Sequence, residues 1–157
     1  MRTIESAGVT AKDLRIGIVV TRWNALITDR LLDGALECIR AFGGTTDAVT
    51  VVRCPGAFEM PIVLKAMADS GRYDALVALG AVIRGETPHF DYVAGEAAAG
   101  IVRASMDAGV PCGFGLLTLE SLEQGLSRAG AKHGNKGWEA AQASIETAGL
   151  LAQIVAA

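Results

Sequence analysis

His89 lies between Pro88 and Phe90, in a polar stretch after an apolar run, and an imidazole there can move protons as a general acid or base. Just ahead of it, Glu86 and Thr87 precede a helical stretch, where backbone N–H groups and the Thr87 hydroxyl can receive an anion; a capped helix entrance would use the same residues. Positive charge gathers in one further place, at Arg128, Lys132, His133 and Lys136 among Gly130, Gly134 and Gly137. Glycine lets backbone approach a phosphate, and arginine supplies a planar fork that stays charged. The plainer reading of that segment is a solvated turn with ordinary surface lysines. Trp23 offers a face on which a flat heterocycle can stack, and Phe114, between two glycines, offers another, although either ring also serves simple packing. Glu59 can accept a hydrogen bond from a polyol or ring N–H, or complement the positive end of the helix that follows it.

Apolar periodicity supplies the elements that must position these groups. Arg15 to Val20 is short, β-branched and almost continuously apolar, as a buried strand should be. From Leu26 to Phe42 the apolar residues recur at helical spacing until Gly43 and Gly44. A second strand is expected at Ala48 to Val52, then a turn over Pro55 to Glu59 and a helix from Pro61 toward Gly71. The third strand is expected at Ala75 to Val82. The loop from Ile83 to His89 follows, then a small-residue helix from about Asp91 to near Gly109. Cys112 to Leu117 reads as a fourth strand, Leu119 to Ala129 as a short helix, Gly130 to Gly137 as a glycine loop and Trp138 to Ile154 as the last helix. Alternating strands and helices with continuously apolar strands imply a parallel sheet covered on both faces. Ligands bind such sheets outside the carboxyl ends of the strands, the edge reached by Trp23, Ala57 to Glu59 and Arg84 to His89.

Composition excludes several classes. A chain of 157 residues fits one domain, expected to span residues 1–157 with a polar leader at 1–13 that would pack on a neighbouring subunit. It is 51% apolar and 20% charged, with a mean hydropathy of +0.36, more apolar than the interior of a small monomer usually takes, so burial between subunits is expected. The longest apolar stretch, Ala75 to Ile83, is far short of a bilayer span, and Met1 to Lys12 lacks an apolar signal core, which together point to the cytoplasm and to no membrane partner. Cys38, Cys54 and Cys112 are odd in number and widely spaced, and read as small buried thiols. A net charge of -3 and a pI near 5.4 argue against a nucleic-acid surface. No P-loop is present, Gly113-Phe114-Gly115 lacks the third glycine of a dinucleotide fingerprint, and no residues have metal-ligand spacing. The residues alone thus reach an α/β domain with an anion site, a flat-ligand site and a proton-moving group.

Three segments carry more. Pro55-Gly56-Ala57-Phe58-Glu59-Met60-Pro61, then Gly80 through Val93 (GAVIRGETPHFDYV), then Arg128-Ala129-Gly130 with Gly134-Asn135-Lys136-Gly137 occur in this order. With them the chain resembles the lumazine synthase family from about Leu14 to Ile154. The resemblance implies an α/β three-layer sandwich with a mainly parallel four-stranded sheet and flavodoxin-like topology. It implies condensation of 5-amino-6-(D-ribitylamino)uracil with 3,4-dihydroxy-2-butanone 4-phosphate to 6,7-dimethyl-8-ribityllumazine, phosphate and water, without a metal or organic cofactor. By resemblance, Trp23 stacks on the pyrimidine; Ala57, Phe58, Glu59, Ala81, Val82 and Ile83, with Phe114, hold the pyrimidine and ribityl chain. Glu86, Thr87 and Arg128 hold the phosphate with help from Lys136, and His89 moves protons. Phe114, Arg128 and Lys136 would come from the adjacent subunit of a homo-oligomer built from pentamers. Whether these remain single, pair or close into an icosahedral shell, and whether riboflavin synthase associates with them, is left open. The family usually has Phe at the position of Trp23 and a smaller residue at that of His133. A non-catalytic flavin-binding module and a shell-forming structural protein are the rival classes, and the joint presence of His89, Arg128 and Lys136 disfavours both.

Overall fold

The computed structural model describes residues 1–6 and 8–156; Ala7, within the expected leader, and Ala157 lie outside the described residues. Four strands form one all-parallel sheet: β1 (Ile16–Thr21), β2 (Val49–Cys54), β3 (Ala75–Ile83) and β4 (Cys112–Leu119), in the order β2-β1-β3-β4. Five helices cover it: α1 (Ala25–Ala41), α2 (Met60–Asp69), α3 (His89–Ala108), α4 (Leu122–Arg128) and α5 (Lys136–Ala156). The expected α/β three-layer sandwich is what the chain forms.

The alternation of side chains along each strand divides the core in two. Ile16, Ile18 and Val20 of β1, with Val77 and Leu79 of β3, face the layer of α1, α4 and α5, where Ile27, Leu31 and Ile145 meet them. Val19, Leu76 and Ala78 face α2 and α3, against Met60, Leu64 and Ile101. The central strands β1 and β3 are buried nearly throughout, which is why their sequences are uninterrupted apolar runs. The ends opposite the ligand edge are tied by Arg15, whose Nε and Nη2 grip the Asp74 carboxylate at 3.0 and 2.7 Å while its backbone N–H donates to Oδ2 at 2.8 Å.

Three expectations are corrected. The helix expected from about Asp91 begins at His89, because Pro88, at φ -65°, occupies its N-cap and starts the turn that it was expected only to precede. The fourth strand runs on to Leu119, so the short helix starts after Ser121, whose hydroxyl accepts from the Gln124 N–H at 3.3 Å. The glycine loop ends at Asn135: Lys136 and Gly137 are the first residues of α5, and Asn135 Oδ1 accepts from the Gly137 N–H at 2.8 Å. Val9 and Ala11 of the expected leader pack on their own chain, with Ala11 buried and its N–H donating to the Phe42 carbonyl at 2.8 Å.

Candidate active site

A cavity of about 500 Å³ opens at the carboxyl ends of β1, β2 and β3. Parallel strands deliver their following loops to one edge, and three of those loops supply its walls. From the first comes Trp23, which is 63% exposed and is one of the large apolar residues the chain leaves open. The ring lies against Gly56, where any Cβ would collide with it, so the glycine after Pro55 is what allows β1 and β2 loops to close on each other. Trp23 is also held by its backbone N–H, which donates to the Pro55 carbonyl at 3.2 Å.

The second loop brings Ala57, Phe58 and Glu59. Ala57 is buried and belongs to the core, Phe58 is 60% exposed, and Glu59 occupies the N-cap of α2. Glu59 Oε2 accepts from the Gly56 N–H at 3.1 Å, so one carboxylate oxygen fixes the turn and no hydrogen bond engages the other among the described residues. Beneath this loop Cys54 donates from Sγ to the Gly56 carbonyl at 3.5 Å, and burial pushes its thiol pKa up.

The third wall is the end of β3, Ala81, Val82 and Ile83, followed by Gly85, Thr87 and His89. Loop residues Arg84 to Pro88 are exposed, as is His89. In the opening turn of the 20-residue α3 the His89 N–H donates to Thr87 Oγ1 at 3.5 Å and the Asp91 N–H to the Pro88 carbonyl at 3.0 Å, which leaves the Phe90 N–H without a partner among the described residues and the long His89 contact easily exchanged for an anion.

The structure thus brings together Trp23, Ala57, Phe58, Glu59, Ala81, Val82, Ile83, Thr87 and His89 around one space. Glu86 is in the same loop but outside the cavity wall. Phe114, Arg128 and Lys136 are elsewhere. Phe114 pairs with Ala78, below the ligand edge, and is 53% exposed on β4, an outer strand. Arg128, at the end of α4, donates to the Gln124 carbonyl of its own helix at 3.3 Å and pairs with no carboxylate among the described residues. Lys136 Nζ meets Glu139 at 2.6 Å. Gly137, expected to admit a phosphate, instead packs against the Leu31 backbone of α1. Lys132 and His133 are exposed at the tip of a tight turn closed by the Gly130 N–H on the Gly134 carbonyl at 2.8 Å.

Two residues not singled out for the site emerge from tertiary structure. Asn24, in the left-handed region at φ 61°, lines the cavity, and its Nδ2 donates to the Ala81 carbonyl at 2.9 Å, joining the first loop to the end of β3. Its signal was its place before an apolar helix, since Asn tolerates that backbone better than most residues. Arg84 ties the third loop to two other elements through contacts 7 and 36 residues away, a spacing that no local pattern betrays. Tyr92, Phe90 and Val93 complete the α3 side.

Comparison with known proteins adds to this geometry. A model of the 6,7-dimethyl-8-ribityllumazine synthase family matches residues 13–152. A protein of that name from Chlorobium luteolum is 53% identical over 150 residues, covering 96% of each chain. One from Nitratidesulfovibrio vulgaris strain Miyazaki F is also 53% identical, over 98% of each chain, and one from Chloroherpeton thalassium is 49% identical, over 98% of this chain and 99% of its own.

Proposed function

The chain belongs to the 6,7-dimethyl-8-ribityllumazine synthase family, and from that membership we propose how the cavity at the carboxyl edge performs the condensation. The enzyme is a transferase of riboflavin biosynthesis that joins 5-amino-6-(D-ribitylamino)uracil to 3,4-dihydroxy-2-butanone 4-phosphate, giving 6,7-dimethyl-8-ribityllumazine, phosphate and water. The observation that carries the assignment of the site is the meeting of an exposed indole, a turn-fixed carboxylate and a helix N-terminus bearing an imidazole around one space.

Trp23 stacks on the pyrimidine, as its exposed face favours. Ala57, Phe58, Glu59 and the ends of Ala81 to Ile83 hold the ring edge and ribityl chain, with Glu59 accepting from hydroxyls or ring N–H. Glu86 and Thr87, through the backbone N–H groups ahead of α3, hold the phosphate. The pyrimidine amine adds to the ketone, the adduct loses water to an imine, phosphate leaves, and the second amine closes the ring with loss of another water. His89, at the loop end of the cavity, passes protons in these steps. Much of the rate comes from holding amine and ketone together.

Arg128, Lys136 and Phe114 enter from the adjacent subunit of a homo-oligomer built from pentamers. Support comes from their positions outside this chain's own cavity and from the exposed apolar residues Ile62, Val102 and Met106 on the outer faces of α2 and α3. The leader at 1–13 packs on a neighbouring subunit through its exposed first residues, Met1 to Glu5. Paired pentamers or an icosahedral shell, and an association with riboflavin synthase, are further levels of the same reading. The three cysteines form no disulfide among the described residues, which supports a cytoplasmic enzyme. No helix among those residues is long and apolar enough to cross a membrane.

Mixing the two substrates with purified protein should produce lumazine absorbance and fluorescence together with stoichiometric phosphate, each signal requiring both substrates. Binding of the pyrimidine without turnover would leave a binding module and overturn the reading.

A further inference from the structure

We propose that Arg84 is a positioning residue for His89: it pins the loop of Gly85 to Pro88 and the first turn of α3, and it is not a phosphate ligand. Its backbone N–H donates to the Leu119 carbonyl at 2.8 Å, which anchors the start of the loop to β4. Its Nε lies 3.1 Å from both carboxylate oxygens of Glu120, just beyond β4, and its Nη1 lies 3.2 Å from Asp91 Oδ1. The guanidinium also lies over the ring of Phe90, 4.2 Å from the centroid, and Phe90 lines the cavity. Phe90 and Asp91 are the two residues after His89, so a single side chain grips the turn that presents the imidazole.

Charge separates this role from the one proposed for Arg128. Two carboxylates already compensate Arg84, whereas among the described residues none pairs with Arg128. The contacts with Glu120 first, and then with Asp91, favour the charged guanidinium further. An anion arriving at the loop would meet a guanidinium whose charge two carboxylates already compensate and whose Nε and Nη1 are engaged. What Arg84 supplies is geometry: a planar group that meets Glu120 through Nε and Asp91 through Nη1 while its face lies on Phe90, which the single ammonium of lysine cannot do.

The inference rests on the proposed role of His89, and the experiment separates the two. Arg84→Lys and Glu120→Gln are made singly, in the wild-type background and in His89→Ala, in the full-length assembled protein, with assembly checked by sizing. Both keep Phe90 and Asp91, and Glu120→Gln keeps Arg84 itself, so a folding failure of one leaves the other to report. In the wild-type background Arg84→Lys should lower kcat about threefold to tenfold, as a small misplacement of a catalytic group does. KM for either substrate should change less than about twofold. In the His89→Ala background the same change should alter kcat by less than about twofold, because coupled residues are non-additive. A loss that is equal in both backgrounds, while His89→Ala itself is slow, overturns the positioning role alone. A rise confined to KM for the keto-phosphate makes Arg84 a phosphate ligand and overturns it likewise. If His89→Ala turns over at the wild-type rate, the role of His89 falls and this inference falls with it.

Discussion

His89 and Trp23 contribute in different ways, and substitution should separate them. A ketone and an amine held in contact condense with water as proton carrier, so His89→Ala should slow turnover by no more than about 10²-fold, the lower end for general acid–base groups. Steady-state rates with both substrates saturating test this, and complete inactivity in an assembled, substrate-binding variant would mean the imidazole does more. Trp23 acts on binding. Its exposed ring has little role in the core, so Trp23→Ala should leave the fold intact and weaken pyrimidine affinity about tenfold, while Trp23→Phe, which still stacks, should stay within about threefold. Calorimetric titration with the pyrimidine checks both, and equal affinity in all three proteins would remove the stacking role.

Among the elements, α1 and α5 approach so closely at Gly137 that an added Cβ would strike the carbonyl of Leu31. Ala in a helix gains about 1 kcal/mol over Gly. A clash with backbone, which cannot swing aside as a side chain can, costs about 1–3 kcal/mol or more, so the clash should win. Gly137→Ala is expected to destabilise by ~2 kcal/mol, a Tm lower by about 4–8 °C. Gly149→Ala, on the same helix with open space around it, should be neutral or stabilising, and thermal scans showing the same sign for both would refute this account. At the other end of the sheet, the hydrogen bonds from Arg15 hold the Asp74 carboxyl below its ordinary range. A lowered folded pKa stabilises above the unfolded value, about 3.9 for Asp, and that stabilisation is lost as pH falls through the folded value. Asp74→Asn should therefore be less stable than wild type at pH 7, and the gap should narrow below about pH 4. Urea unfolding at pH 7 and pH 3 measures it; a gap that widens in acid contradicts the pair's role.

For the whole molecule the decisive question is whether one chain holds a complete site. Trp23 and His89 line the cavity, whereas Arg128 and Phe114 do not. If neighbours complete each other's sites, defects in the two halves should complement. Trp23→Asp removes the stacking face at an exposed position, a safer choice than changing the buried Ala57, and Arg128→Ala removes the phosphate fork. Each variant alone carries its defect in every site and, with substrates well below KM, should turn over at about a tenth of the wild-type rate or less. Mixed assemblies, in which some interfaces pair the intact halves, should recover activity well above either parent. Mixed oligomers no more active than the parents, beside active wild-type assemblies prepared alike, would place the whole site within one chain.

The apolar runs at β1 and β3 determined the sheet and its parallel sense by themselves, because a strand buried on both faces must be apolar throughout and its neighbours must be joined by helices. The order Trp23, Ala57 to Glu59 and His89 was legible as one ligand edge for the same reason: successive parallel strands end on the same side. Tertiary structure decided what depended on contacts distant in the chain. It assigned Gly137 to helix packing, since the sequence shows a glycine but not the Leu31 backbone opposite it. It moved His89 from a loop to the first turn of α3, since Pro88 can start a helix as readily as precede one. It joined Arg84 to Glu120 across 36 residues, where only the pairing of β3 with β4 brings the two together.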